Sequence, residues 1–166
     1  MEPYAYVREL ARRDKLSHAW LLLGEDGEEL EKLALFTARA LLCSAPAGEE
    51  KPCGVCPHCR KMQKGIHPDL VTLLRNPDKR EISVKQVRAF RQEVWITPNE
   101  AARKVFMIPE ADCLNTEGQN ALLKVLEEPP PYAAFLLMGC NPGAFLPTVR
   151  SRCLTLRLGG GGAASG

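Results

Sequence analysis

Along this chain, runs of consecutive apolar residues alternate with segments in which apolar positions recur every three or four residues. The runs near 18–23, 69–74, 104–108, 133–138 and 153–158 are short and mostly continuous, as expected of strands covered on both faces. Between them, Tyr6, Val7, Leu10 and Ala11 mark one face of a helix over 3–16. Leu33, Leu35, Phe36, Ala40 and Leu41 mark a second, which opens just after Gly24. Ser83 suits an N-cap, because its short side chain accepts a bond from an orphan helix N–H, and Val87, Phe90 and Val94 form the inner stripe behind it. Asn115 or Thr116 caps a fourth helix, whose stripe is Ala121, Leu122, Val125 and Leu126. Pro129, Pro130 and Pro131 forbid any further turn. Strands alternating with helices predict a three-layer α/β domain, a mostly parallel sheet with helices on both faces.

Composition changes this picture little. The chain has 166 residues, enough for one real core and too few for two typical domains. Hydrophobic residues make up 45% and charged residues 25%, ordinary values for a globular protein, and a net charge of +2 is too mild to argue for a nucleic-acid partner. No apolar run approaches the roughly 18 residues of a membrane span, and the start, Met1-Glu-Pro-Tyr, has no apolar segment of the secretory kind. A cytoplasmic protein is therefore expected. Gly159–Gly166 reads as a flexible, Gly-rich tail.

Cysteine spacing adds chemistry. Cys53, Cys56 and Cys59 form two overlapping C-x-x-C pairs, and Cys43 ends the preceding helix, close enough to fold back as a fourth ligand. Four thiolates about 2.3 Å from a zinc ion satisfy its tetrahedral preference and leave no open position, so the expected site is structural Zn2+ within an insertion over 43–64. The competing reading is a redox dithiol or unrelated thiols. His58 could replace a cysteine, but four cysteines suffice. Cys113, Cys140 and Cys153 read as small core residues.

Three features together carry a resemblance. Lys104–Ile108 is a strand that runs into Pro109-Glu110. The string Asn120-Ala-Leu-Leu-Lys-Val-Leu-Glu-Glu-Pro-Pro130 follows, and then Ser151-Arg152-Cys153. From about His18 to about Leu156 the chain resembles the clamp-loader branch of the AAA+ superfamily, and within it the delta-prime subunits of bacterial DNA polymerase III. This resemblance implies a P-loop NTPase-like domain over 1–158 with a cysteine-bearing insertion, and the family carries such a cluster at this position. It implies a bacterial, cytoplasmic subunit of the replicative clamp loader, a component of the DNA polymerase III holoenzyme. Its implied partners are the gamma/tau ATPase subunits, the delta subunit and the sliding clamp, and it leaves room for primed DNA through backbone contacts. Arg152, with Ser151 beside it, would act in trans as an arginine finger in a neighbour's ATP site. The lid and collar domains of full-length subunits are not found in this sequence.

Where the resemblance places a phosphate loop, the residues are wrong for one. A working loop reads G-x-x-x-x-G-K-[ST], with glycines for close approach, a lysine against the phosphates and a hydroxyl on magnesium. Laid from Gly24, the second glycine becomes Glu29, the lysine Leu30 and the hydroxyl residue Glu31, while Gly27 falls inside the loop. Glu25, Asp26, Glu28, Glu29 and Glu31 put carboxylates where a polyphosphate would rest. Pro109 stands where an ATPase of this kind has its metal-binding Asp. The expectation is a domain that binds no ATP and hydrolyses none. Two other readings remain open at this point: an active AAA+ ATPase with an atypical phosphate site, and a zinc-stapled DNA-binding module. On the helix after Ser83, Lys85, Arg88 and Arg91 offer a basic face that suits either DNA backbone or plain solvent.

Overall fold

The computed structural model describes residues 2–159. Five strands, β1 (Ala19–Leu23), β2 (Leu70–Thr72), β3 (Lys104–Ile108), β4 (Ala133–Gly139) and β5 (Leu154–Arg157), form one sheet in the order β2-β3-β4-β1-β5. Every pairing is parallel. The register runs straight across the centre, with Ile108 beside Leu137 and Leu137 beside Leu21. β1, β3 and β4 are buried at every position, which is why their sequences are continuous rather than alternating.

Alternate strand residues feed two cores. Leu21, Phe106, Phe135 and Leu137 face one way and meet α4 (Val84–Val94), α5 (Thr116–Glu127) and Val149 of the short α6 (Pro147–Arg150). Trp20, Leu22, Val105 and Leu136 face the other way and meet α1 (Pro3–Arg12), α2 (Gly27–Leu42) and Met62 of α3 (Pro57–Gln63). The three-layer α/β architecture expected from the sequence is thus present, with the cysteine-bearing segment between α2 and β2. All five strands fall where they were expected, within one or two residues at either end.

Several helix ends follow directly from side-chain chemistry. Ser83 and Gln86 form a reciprocal capping box at the start of α4. Asn115, rather than Thr116, caps α5 by accepting from the Gly118 N–H at 2.8 Å. α1 stops at Arg12, not near 16, because Asp14 turns into the left-handed region at φ 55°. The Gly-rich tail predicted over 159–166 lies, beyond Gly159, outside the described residues. No helix among the described residues is long and apolar enough to cross a membrane.

Candidate functional site

The carboxyl ends of the strands carry the residues in question. β1 ends at Leu23 and α2 begins at Gly27, so only Gly24, Glu25 and Asp26 connect them. The Asp26 carboxylate accepts from the N–H groups of Glu28 at 3.0 Å and Glu29 at 3.3 Å. Those donors are the ones a phosphate would need at this helix end, and the chain's own acid occupies them. Glu29 and Glu31 point outward, whereas Leu30 is buried. Leu30 packs so closely over Gly24 that a Cβ there would lie 2.6 Å from Leu30 Cδ1. The glycine's bare Cα, which in a phosphate loop lets a ligand approach, here receives a leucine. Gly27 is open but sits in the first turn of α2.

At the end of β3, Pro109 leads to Glu110, whose carboxylate accepts from Arg75 Nε at 2.6 Å. Asp112 accepts from the N–H groups of Cys140 at 2.9 Å and Asn141 at 3.2 Å, tying the loop after β4 to the turn after β3. The two acids nearest the expected metal position are therefore committed to protein donors. Cys140 corrects an expectation: it is exposed, because β4 ends at Gly139 and leaves it in a loop. Cys113 and Cys153 pack against the core as expected, and burial pushes the Cys153 thiol up to about 12.

The four predicted zinc ligands converge. The Sγ atoms of Cys43, Cys53, Cys56 and Cys59 all lie within 4.8 Å of one another. Cys43 is the C-cap of α2 and Cys56 the N-cap of α3, so two helix ends aim two thiols at one point. Backbone N–H groups stiffen the cluster: Cys53 N donates to Cys43 Sγ at 3.4 Å, Cys56 N to Cys53 Sγ at 3.3 Å, and Cys59 N to Cys56 Sγ at 3.4 Å. Burial pushes the Cys59 thiol up to about 12 and Cys43 upward as well. Burial opposes ionisation of Cys56 too, but hydrogen bonds from Ser44 and Cys59 outweigh it and bring that thiol down to about 5. Tetrahedral zinc at about 2.3 Å from each sulfur needs sulfurs roughly 3.8 Å apart, and Cys43 and Cys56 sulfurs are 4.0 Å apart. The donor set and its spacing fit a structural zinc ion.

His58 is not a member of that set. Its Nδ1 lies 2.9 Å from His67 Nε2, and His67 Nδ1 accepts from the Asp69 N–H at 3.0 Å. That donor fixes the tautomer: neutral His67 carries its proton on Nε2 and gives it to His58. Glu100 stands near both rings but pairs with Lys61. A cation on His67 Nε2 would require the proton to move to Nδ1, against the Asp69 N–H, so this group is a hydrogen-bonded post rather than a second metal site. Below it, the buried Asp69 carboxylate accepts from the N–H groups of Asn99 (2.5 Å), Glu100 (2.9 Å) and Ala101 (2.8 Å). Burial raises the Asp69 pKa, but those bonds prevail and lower it below the ordinary value.

Arg152 sits in the turn between α6 and β5, half exposed, with Nη2 3.1 Å from Glu127 Oε2 at the end of α5. Ser151 is the C-cap of α6, and its hydroxyl donates to the Thr148 carbonyl at 2.9 Å. The loop that launches α6 is fixed by Gln119, a buried residue that the sequence reading passed over. Its Nε2 donates to the carbonyls of Leu114 (3.1 Å) and Ala144 (2.8 Å), and its Oε1 accepts from Leu146 N at 2.8 Å. On α4, Arg91 donates to the Ala121 carbonyl and Arg88 pairs with Glu117 at 3.5 Å, so two of the three expected basic residues bind α5. Lys85 is exposed at the helix start.

Comparison with known proteins gives a consistent answer. The model of the family described as "DNA polymerase III, delta subunit" matches residues 2–160. A protein of Pseudomonas aeruginosa named DNA polymerase III subunit delta' is 38% identical over 146 residues, covering 88% of this chain and 44% of that one. Its Bacillus subtilis namesake is 36% identical over 144 residues, covering 87% and 43%. The chain thus spans less than half the length of these curated relatives. Among solved structures, a DNA polymerase III gamma subunit-related protein of Thermotoga maritima superposes with a TM-score of 0.68 over 92% of this chain and 45% of its own, at 22% identity. That likeness bears on the fold alone.

Proposed function

The chain belongs to the family described as DNA polymerase III, delta subunit, and on that premise we propose that it is the nucleotide-binding-type domain of a clamp-loader subunit that does not itself hydrolyse ATP. The observation that carries this reading is the state of the β1–α2 connection. Asp26 already holds the helix N–H groups, Leu30 covers Gly24, and no lysine is in place to neutralise a triphosphate. On this reading the domain spans 1–158 with the cysteine insertion at 43–64, and lid and collar functions belong to other parts of the full-length protein.

The useful remnant is Arg152. Its guanidinium is planar and permanently charged, and an arginine finger reaching into a neighbouring ATP site stabilises charge on the γ-phosphoryl group. The neighbour would be a gamma/tau-type ATPase subunit, within an assembly that includes the delta subunit, opens the sliding clamp and places it on primed DNA. Lys85 and the basic loop with Lys79 and Arg80, at the start of α4, suit DNA backbone contacts rather than base reading. Cys43, Cys53, Cys56 and Cys59 would hold a zinc ion, which staples the segment between α2 and α3 and takes no part in hydrolysis.

The test is reconstitution of the full-length subunit with its partner ATPase, clamp and primed DNA. Arg152→Ala is expected to leave the subunit folded and to slow ATP hydrolysis at the one neighbouring site it serves by about 10³–10⁵. Unchanged turnover would eliminate the finger.

A further inference from the structure

We propose that Glu127 is the positioning residue for the Arg152 guanidinium, an inference that rests on the reading of Arg152 as a finger acting in trans. Glu127 Oε2 and Arg152 Nη2 lie 3.1 Å apart although 25 residues separate them in sequence. The bond joins the last turn of α5 to the turn after α6.

Two observations separate this pair from an incidental surface contact. The first is its place on α5. A carboxylate in the last turn of a helix faces the partial negative charge of unpaired carbonyls, so Glu127 works against the local dipole and its neighbour Glu128 does the same. A half-exposed ion pair returns little stability for that opposition, so its contribution lies in orientation. The second is the opposite end of the same helix. There Gln119 grips Ala144 and Leu146, the segment that launches α6. One helix therefore holds both the base from which the arginine departs and the tip of its side chain.

The geometry also leaves the arginine usable. A guanidinium has five N–H donors in one plane, and the observed bond runs through Nη2 alone. The rest of the fork stays free for phosphoryl oxygens. A long side chain held in one direction before docking loses less conformational freedom when the neighbour's nucleotide arrives.

The experiment is steady-state ATP turnover by the reconstituted assembly carrying wild-type subunit, Glu127→Ala, Glu127→Gln, Arg152→Ala or the double variant Glu127→Ala/Arg152→Ala. Glu127→Ala is expected to lower kcat on the order of three- to tenfold with KM for ATP unchanged, the signature of an interaction expressed in the transition state. Glu127→Gln, which keeps an acceptor, recovers part of the loss. The double variant turns over no more slowly than Arg152→Ala alone, because a residue acting through Arg152 has nothing left to position. Thermal unfolding of the single variants stays at the wild-type midpoint, which separates the effect from misfolding. Wild-type kcat in Glu127→Ala, a faster rate, or a further loss in the double variant would each overturn the positioning role and leave the finger standing. An Arg152→Ala assembly as fast as wild type would overturn both.

Discussion

The turn that opens α2 and the turn that follows α6 flank strands of one sheet, yet they have opposite chemistry. At the first, three residues connect strand to helix, Asp26 satisfies the helix N–H groups internally, and Leu30 fills the approach over Gly24. At the second, a guanidinium stands half exposed with one carboxylate beside it. At the first turn the helix N–H groups of Glu28 and Glu29 are held by the chain's own acid. The other still presents a cation to whatever docks there. The difference teaches that fold alone does not assign a site: which donors converge and what charge surrounds them set what each turn can bind.

The contrast can be attacked experimentally, most strongly at the cationic turn, where the Arg152→Ala assay carries an expected loss of about 10³ or more in hydrolysis at the neighbouring site. At the acidic turn, calorimetric titration of the isolated chain with magnesium-ATP should give no saturable signal up to about 1 mM, a binding free energy weaker than roughly −4 kcal/mol. Tight binding there would erase the distinction between the two turns. Gln119→Ala should cost about 1–3 kcal/mol, since Leu114 O, Ala144 O and Leu146 N all lose a buried partner. Chemical denaturation would read it, and a neutral result would mean the base of α6 is held some other way. If the four cysteines hold zinc as proposed, a chelator is expected to increase hydrogen exchange in the 43–64 segment while protection of β1, β3 and β4 persists. Collapse of the sheet would show that the lobe and the two turns are not independent. Smallest is Asp26→Ala, about 1 kcal/mol of lost capping. If the variant instead gained nucleotide affinity, the acid rather than Leu30 would be the closing element.

Much of this was legible beforehand for identifiable reasons. Ser83 and Asn115 announced helix starts because capping is settled within three residues. Val87, Phe90 and Val94 declared a buried face through spacing alone. Cys53, Cys56 and Cys59 declared a thiol cluster because two-residue gaps bring thiols together around one turn. Other features gave no such signal. Lys104 opens a strand that reads as buried, and what its charge does there is not legible: its ammonium caps the end of α4 by donating to the carbonyls of Ile96 at 3.1 Å and Glu93 at 3.3 Å. Asp69 falls in the strand expected over 69–74 and His67 just before it, and nothing local shows that they anchor the 99–101 segment and orient His58. Gln119 reads as an ordinary helix residue, and its partners lie as far off as Leu146.

By itself, then, the sequence determined what short-range physics decides: strand and helix periods, caps, the proline stop after α5, the thiol spacing and the run of acids after Gly24. The tertiary structure alone decided which distant groups meet, namely Leu30 over Gly24, Glu127 on Arg152 and Gln119 on the loop before α6. Periodicity and capping depend on neighbours a few positions away, so they survive in a one-dimensional reading. A bond between residues 25 apart depends on how layers pack against a sheet, and no local pattern encodes that.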